Sequence, residues 1–393
     1  MKALIQTDYG DPAKVLELRD VPAAIPGDGQ AVVEMEAAVV HVADAHTVLG
    51  ADGFRKKLPR TPGYEGVGRV SAVARDVKGI IPGMRVFAPI GSGTYREQIA
   101  VNAADLTPAP EGDPVQLALL SLSPATAMLM LQDFVKLQPG DFVVQNAASS
   151  AVGRMVIQLA NEMKVKVVNV VKSSVVIPEL KEIGAGVVVL DTADLRDRVA
   201  AVTQSSPVKL ALDAVGGGAT GRLAACLDEN GTVVSYGAMS GEACQIPADL
   251  LGARGIRLCG IQPSRQLAKH TPDERNALYA RFGSLLKAGK LRGRLGATYS
   301  LENAVDAIRQ VLRDGDKRIG RVVIRVREVA VPAEAPPAAQ PGAVTMPQPP
   351  PDPALVAAAG VSTTDPSPAP AAASEPSPAA PATPPETSKA GTA

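Results

Sequence analysis

The pattern of apolar and polar residues divides the chain near residue 120. Before that point, short apolar or alternating runs predict strands, and pairs such as Pro62-Gly63 and Pro82-Gly83 predict the turns between them. The predicted strands are Lys2–Gln6, Val15–Leu18, Ala31–Val40, Gly66–Ala74, Arg85–Ala88 and Glu97–Val101. Short strands at this spacing favour a partly open β-barrel over residues 1–120.

From residue 121 onward, apolar strands alternate with amphipathic helices. The predicted strands cover 141–145, 165–171, 187–190, 209–215, 231–236 and 256–261. This alternation predicts an α/β fold with a doubly wound parallel sheet over residues 121–289. Helices at 273–288 and 301–313 follow, and a strand at 321–326 is predicted to return to the barrel. We therefore assign residues 290–328 to the first domain.

The turn after the first strand of that sheet carries the strongest chemical signal. It reads Asn146-Ala147-Ala148-Ser149-Ser150-Ala151-Val152-Gly153 and opens an amphipathic helix. In a dinucleotide-binding βαβ unit, such a turn must let backbone N–H groups approach a pyrophosphate, which small side chains permit. We therefore predict that residues 146–153 hold a nicotinamide dinucleotide, with Gly153 at the closest approach of helix and strand.

A second glycine-rich run offers an alternative cofactor turn. Gly216-Gly217-Gly218-Ala219-Thr220-Gly221 matches the dinucleotide fingerprint G-x-G-x-x-G literally. It follows a later strand of the sheet, 209–215, whereas the fingerprint belongs to the first strand. We therefore expect residues 216–218 to form a loop near the cofactor rather than the pyrophosphate site.

The end of the second strand bears on the choice between NADH and NADPH. NAD-specific sites place Asp or Glu there to bind the ribose 2′-hydroxyl. Here the strand ends on Val171-Lys172-Ser173-Ser174, and a cation beside two hydroxyls suits a 2′-phosphate. This favours NADPH; the alternative is that Lys172 is a solvated surface lysine.

Composition sets the C-terminal segment apart. From Val331 to Ala393 the chain holds 17 of its 34 prolines and no aromatic residue. Such a segment cannot bury enough apolar surface to offset its chain entropy, which predicts a disordered, partly PPII-like tail. It is either a solvated extension or a proline-rich ligand for another protein.

Charge, cysteine spacing and the lengths of apolar runs argue against a nucleic-acid-binding protein, a membrane protein and a structural zinc site. Residues 1–330 carry 39 basic and 35 acidic side chains, which gives no warrant for nucleic-acid binding. No run of 18 apolar residues predicts a membrane span, and no signal or transit peptide is evident. Because Cys226, Cys244 and Cys259 form no CxxC pair, we expect reduced thiols, no structural zinc and a cytoplasmic location, with a mitochondrial one as the alternative.

Six short motifs carry a resemblance to a known superfamily. They are Leu137-Gln138-Pro139-Gly140-Asp141, Gln145-Asn146-Ala147, Ser150-Ala151-Val152-Gly153, Asn169-Val170-Val171, Asp213-Ala214-Val215-Gly216-Gly217 and Tyr236-Gly237-Ala238-Met239. Through them, residues 1–326 resemble the medium-chain dehydrogenase/reductase superfamily, and most of all its zinc-independent quinone-oxidoreductase and 2-enoyl-thioester-reductase branch. The resemblance implies a GroES-like β-barrel catalytic domain, a Rossmann nucleotide domain and a homodimer.

The resemblance also extends the set of residues expected to line the cofactor. With the turn and the 2′-phosphate residues, the set is Ser123, Thr126, Asn146, Ser149, Ser150, Ala151, Val152, Gly153, Lys172, Ser173, Ser174, Tyr236, Gly237, Ala238, Met239, Ile261, Gln262, Pro263 and Arg321. No metal ligand set is expected. Where the zinc-dependent branch has a G-H-E segment, this chain reads Gly63-Tyr64-Glu65, and its first cysteine is Cys226.

The chain departs from the branch where the substrate binds. Thioester reductases carry a tyrosine about ten residues before the turn that corresponds to residues 63–66, and Asp52 replaces it here. His41 replaces the asparagine of their N-P-S-D segment. An aromatic pair becomes Ile261-Gln262. Hydride addition at the β-carbon of an activated alkene leaves an enolate, which needs a proton at its α-carbon. The candidate donors are Tyr64, Asp52 and His46.

Three functions remain open at this point. The first is NADPH-dependent reduction of an activated C=C bond in a small molecule, either a 2-enoyl thioester of CoA or acyl carrier protein or an α,β-unsaturated carbonyl. The second is reduction of a quinone, which takes its protons from water. The third, motivated by the missing tyrosine, is a catalytically weakened NADPH-binding protein whose tail is the interaction element.

Overall fold

A computed structural model describes residues 1–51, 53, 55–314 and 320–327. These residues belong to one compact unit, Met1–Ala333. Asp52, one of the candidate proton donors, and the predicted tail at 331–393 lie outside the described residues.

The N-terminal strands form a twisted, largely antiparallel sheet, as the alternating pattern predicts. A two-stranded ribbon pairs β1 (Lys2–Gln6) with β2 (Leu16–Asp20). The seven-stranded sheet contains β3 (Gln30–Val40), β4 (Glu65–Val73), β5 (Arg85–Phe87), β6 (Gln98–Asn102), β7 (Thr107–Pro108), β14 (Leu295–Ser300) and β15 (Arg321–Arg325). Its order is β14-β15-β3-β4-β5-β7, with β6 also pairing with β3.

The last strand returns to the first domain, as predicted. β15 runs antiparallel to β3 and pairs Val322 with Val40. The strand before it, β14, was not predicted, because its sequence, LGATYS, shows no apolar alternation and none of its residues is fully buried. β14 pairs with β15 in parallel and ends the sheet.

A six-stranded, fully parallel sheet forms the core of the second domain. It contains β8 (Phe142–Gln145), β9 (Lys166–Val171), β10 (Val187–Leu190), β11 (Val208–Asp213), β12 (Thr232–Ser235) and β13 (Arg257–Gly260). The order β10-β9-β8-β11-β12-β13 is that of a doubly wound dinucleotide-binding fold. The central strands β8, β9, β11 and β12 are mostly buried, and such strands read as nearly continuous apolar runs, which is why the sequence predicted them.

Twelve helices are described, and most begin where the sequence supplies a cap or a proline. They are α1 (Pro12–Val15), α2 (Val42–Leu49), α3 (Pro114–Leu119), α4 (Ser123–Gln132), α5 (Ala151–Glu162), α6 (Ile177–Glu182), α7 (Leu195–Thr203), α8 (Gly217–Ala225), α9 (Ala248–Gly252), α10 (Pro263–Leu267), α11 (Pro272–Lys287) and α12 (Ala304–Asp314). Short 3₁₀ turns lie at Ala103–Asp105, Ser174–Val176 and Leu301–Asn303.

The core helix α4 joins the two sheets. Its residues from Ser123 to Leu131 are all buried, in a cluster that also contains Val39 of β3 and Val143 of β8. By length and composition, the stretch Pro114–Gln132 could cross a membrane, but 94% of the relevant window is buried inside the protein. That burial is what the core helix of a globular fold requires.

Candidate functional site

The predicted cofactor turn lies where the strand order of the parallel sheet reverses. β8 and β11 are neighbours, and the helices that follow them, α5 and α8, begin at the carboxyl edge of the sheet. In open α/β sheets, the crevice at this edge is where ligands bind. The turn 146–153 and the Gly216 turn therefore both lie at one end of the sheet.

The turn 146–153 is built by close backbone packing. A Cβ atom on Gly153 would lie 2.6 Å from the carbonyl oxygen of Ala147 and 2.8 Å from the Cα of Ala148, so only glycine fits. Ala147 adopts a φ of 46°, in the left-handed region. The Ser150 hydroxyl accepts the Gly153 N–H at 3.1 Å and caps α5. The predicted closest approach at Gly153 is thus present in the structure.

A buried hydrogen-bond network fixes the two turns to each other. The Asn146 side chain donates to the Asp213 carboxylate at 2.6 Å and accepts the Ala214 N–H at 2.8 Å. The same carboxylate accepts the Thr220 hydroxyl at 2.6 Å. Asn146 and Asp213 therefore hold the two turns together at this edge of the sheet, and Asn146 is only 2% exposed.

The literal G-x-G-x-x-G run has a different structure from the one expected. Residues 217–221 form the first turn of α8 rather than a loop. A Cβ on Gly216 would lie 2.8 Å from the Glu242 carbonyl oxygen, and one on Gly221 would lie 2.7 Å from that of Gln245. These glycines are needed because the 242–245 segment packs directly against them.

Tyr236, the residue after β12, has a buried hydroxyl oxygen without a hydrogen-bond partner in the described part of the chain. Burial raises the pKa of this phenol, and interaction with Ser150 opposes the rise. A buried polar atom beside the cap of α5 fits a polar ligand group entering the crevice. With the close backbone packing at Gly153 and the N-terminus of α5, these residues fit a dinucleotide.

The proposed 2′-phosphate residues lie at the carboxyl end of β9. Lys172, Ser173 and Ser174 are exposed, and the Ser173 hydroxyl accepts the Val175 N–H at 3.3 Å. The acidic residue that follows the neighbouring strand β10, Asp191, is held in a bidentate ion pair by Arg222. An exposed cation with neighbouring hydroxyls therefore stands where an acidic residue would select NAD.

The remaining residues of the expected cofactor set differ in their burial. Ser123 and Thr126 are buried in the first turn of α4, where the Thr126 hydroxyl donates to the Leu122 carbonyl at 3.0 Å. Ala238 and Met239 are exposed, and Gly237 packs on Ala214. Pro263 is half-buried and opens α10.

Arg321 has a structural partner that the sequence did not indicate. Its guanidinium forms an ion pair with the buried Glu65 carboxylate, which also accepts the Ser121 hydroxyl at 2.6 Å. Burial raises the pKa of Glu65, while Arg321 lowers it. The pair links β15 to β4 across 256 positions of sequence. No local pattern could have predicted it.

On the barrel side, Asp44 anchors the segment that replaces the N-P-S-D motif. His41 and Asp44 form a reciprocal capping box at the start of α2. The Asp44 carboxylate also accepts the Gly63 N–H at 3.2 Å and the Tyr95 hydroxyl at 2.8 Å. Burial raises the pKa of Asp44 to about 6, although these hydrogen bonds lower it.

Tyr64 is brought together with two residues from distant parts of the chain. Its ring lies 5.1 Å from the His41 ring, measured between centroids. Burial raises the pKa of its phenol, and interaction with the Gln262 side chain opposes the rise. We call His41, Tyr64 and Gln262 the ring cluster. His46 lies five residues beyond His41 on α2 and is half-buried.

The ring cluster bridges the two sheets at the crevice. Gln262 caps α10 by accepting the Ser264 N–H at 2.8 Å, and it follows Ile261, whose N–H bonds to the Ser235 carbonyl. Ser235 precedes Tyr236, so the cluster lies beside the edge that carries the cofactor turn. Among the described residues, no group of three or more His, Cys, Asp or Glu side chains could hold a metal ion.

Comparisons with known proteins agree with this architecture. An alcohol dehydrogenase GroES-like domain model matches residues 27–111, and a zinc-binding dehydrogenase model matches residues 151–273. The mouse protein named mitochondrial enoyl-[acyl-carrier-protein] reductase is 35% identical over 298 residues, or 74% of this chain and 80% of that protein.

Solved structures lead to the same group of proteins. A mycobacterial quinone oxidoreductase superposes with a TM-score of 0.75 at 27% identity, covering 83% of this chain and 100% of that one. A mycobacterial protein complexed with NADPH gives a TM-score of 0.72 at 27% identity, with the same coverage.

Proposed function

Because this chain belongs to the medium-chain dehydrogenase/reductase superfamily, in its enoyl reductase and quinone oxidoreductase branch, we propose that it uses NADPH to reduce an activated C=C bond. The substrate is a 2-enoyl thioester or an α,β-unsaturated carbonyl. The observation that carries this proposal is the ring cluster. It places the protonated phenol of Tyr64 beside the edge of the parallel sheet where the cofactor is expected to bind.

The cofactor proposal rests on the turn and on the end of β9. Residues 146–153 would hold the pyrophosphate on the N–H groups of α5, and Lys172 with Ser173 and Ser174 would hold the 2′-phosphate. Ser123, Thr126 and Tyr236 would surround the nicotinamide. When bound, the reduced nicotinamide supplies a hydride.

The chain's own residues then have to handle one proton. Burial raises the pKa of Tyr64, so its hydroxyl stays protonated at neutral pH and can donate to the α-carbon of an enolate. The Gln262 side chain, which interacts with that hydroxyl, would help to orient it. Asp52 and His46 remain alternative donors in this proposal.

Quinone reduction is the second candidate, since a quinone oxidoreductase at 27% identity shares the fold over 83% of the chain. A hydroquinone takes its protons from water, so Tyr64 would have no part in it. A third reading, an NADPH-binding protein without turnover, follows from the replacement of the branch's tyrosine by Asp52.

The experiment that separates these functions follows NADPH oxidation at about 340 nm, the absorbance of the reduced nicotinamide. A short 2-enoyl-CoA and a simple quinone are tested in parallel. Turnover of the enoyl-CoA supports the first function. Turnover of the quinone alone contradicts it, and cofactor binding with turnover of neither substrate leaves the third reading.

We also propose that the chain forms a homodimer through β13. This strand ends the six-stranded sheet, and Leu258 on it is 43% exposed. An unpaired strand edge with exposed apolar side chains is a template for pairing with a second copy. Light scattering would test the dimer. A cytoplasmic location stays a prediction. The matched mouse and human relatives are named mitochondrial, so cell fractionation has to decide between the two compartments.

A further inference from the structure

A cavity lies at the end of the parallel sheet that is opposite the cofactor edge. It has a volume of about 210 Å³ and is enclosed by α7, the end of α8 and the start of β11. β11 begins at Val208, which lines the cavity, and ends at Asp213, which bonds the cofactor turn. The two ends of one strand lie at opposite edges of a sheet, so this cavity is separate from the crevice.

The inner wall of the cavity is aliphatic. Val199, Val208 and Leu227 line it, and all three side chains are almost completely buried. The volume is below the range of about 300–1,000 Å³ that is typical of pockets for drug-sized ligands. The cavity therefore suits a small molecule with a short apolar chain.

Two arginines supply positive charge to the same cavity. Burial raises the pKa of the Cys226 thiol to about 12, and Arg196 and Arg254 oppose the rise, so both guanidiniums lie near an uncharged thiol. Arg254 is held in place by the carbonyl oxygens of Ala225 and Leu227. The Arg196 side chain has no hydrogen bond or ion pair with any residue that the structure describes. Its N–H fork is thus available to a carboxylate.

The turn after α7 adds hydroxyl groups to the rim of the cavity. Ser205 and Ser206 line it and are exposed. Gln204 and Ser205 have φ angles of 53° and 54°, in the left-handed region that residues other than glycine adopt uncommonly. Among the described residues that line the cavity, Asp228 is the only acidic one, so two arginines and one aspartate leave one net positive charge.

We propose that this cavity is a second ligand site, which binds a small organic carboxylate with a short apolar chain. The carboxylate lies against the Arg196 guanidinium and the serine hydroxyls, and the chain packs on Val199 and Leu227. Asp228 disfavours a second negative charge, so a monoanion binds better than a phosphate dianion. The site does not depend on the proposed reductase function.

Calorimetric titration of the full chain with hexanoate tests the site. We expect saturable binding with a Kd on the order of 1 mM, the affinity of a weakly held small ligand. Hexylamine has a chain of the same length with the opposite charge, and inorganic phosphate has no chain, so both should bind at least about tenfold more weakly. Equal binding of hexylamine or phosphate, or no saturable binding of hexanoate, would overturn the proposal.

Two variants on α7 test where hexanoate binds. Arg196→Ala removes the available guanidinium and should weaken binding about tenfold. Ala200→Leu places a larger side chain in the cavity and should weaken it at least as much, while leucine preserves the helix. Both positions are exposed, so the thermal midpoint should be retained.

The matched control is Arg198→Ala. Arg198 lies on the same helix, pairs with Asp194 and does not line the cavity, so hexanoate should bind this variant as it binds the wild-type protein. Unchanged binding in Arg196→Ala, or an equal loss in Arg198→Ala, would overturn the assignment of this cavity.

Discussion

The cofactor turn and the ring cluster face the same crevice, but they are built from different parts of the chain. The turn 146–153 is made of backbone: its critical feature is the absence of a side chain at Gly153, where a Cβ would meet carbonyl oxygen at 2.6 Å. The ring cluster is made of side chains from three separate segments. Its arrangement depends on Asp44, a buried carboxylate outside the cluster.

This difference determines how a substitution acts in each region. Apart from Gly153, where only glycine fits, the backbone turn needs no particular side chain, and here Ala and Ser fill it. In the ring cluster, by contrast, each substitution changes the functional groups that line the site. On the proposed function, His41, Asp52 and Gln262 would be the residues that set the substrate side of this chain.

The strongest way to break the comparison is to put a charge into the turn. We expect Ala151→Asp to abolish measurable binding of NADPH and NADH, because a carboxylate at the first residue of α5 repels the phosphates and fills their space. Fluorescence titration measures the binding. Gly218→Asp is the matched control, since Gly218 is exposed in the other glycine run. Loss of binding in the control alone would move the site to residues 216–221.

The next largest effect is expected from the ring cluster. Tyr64→Phe keeps the ring beside His41 but removes the proposed proton donor, so kcat for an enoyl-CoA should fall about 100-fold or more while NADPH binding is retained. Steady-state kinetics measures this. Tyr299→Phe removes a hydroxyl that bonds Gln310 elsewhere in the barrel domain and should leave kcat unchanged. Retained activity in Tyr64→Phe would move the role to Asp52 or His46.

How far the sequence could predict each region follows from the same distinction. The proposed cofactor turn lies within eight consecutive residues, and local apolar patterns define the strand and helix around it, so sequence alone predicted these elements. The contact between Tyr64 and Gln262 and the ion pair between Glu65 and Arg321 join distant positions. No periodicity encodes such pairs, because they arise only when two sheets pack.

A smaller effect concerns the anchor of the ring cluster. The pKa of Asp44 is raised from 3.8 to about 6 in the folded protein, so its stabilising contribution is complete below pH 3.8 and is lost as the pH rises through 6. Asp44→Asn should remove this dependence. Between about pH 4.5 and 7.5, wild-type protein should lose about 2 kcal/mol more unfolding free energy than the variant. Parallel urea curves with no pH-dependent difference would contradict the raised pKa.

The smallest expected effect concerns the contribution of one side chain, Lys172, to the affinity for NADPH. Lys172 is exposed at the carboxyl end of β9, so its contact with a 2′-phosphate is partly screened by solvent. We expect Lys172→Ala to weaken NADPH binding by about 1.5 kcal/mol, or about tenfold, and to leave NADH unchanged. Lys166→Ala, at the other end of the same strand, should affect neither cofactor. An equal loss for both cofactors in Lys172→Ala would mean that Lys172 does not read the 2′-phosphate, and that the backbone cradle alone determines cofactor affinity.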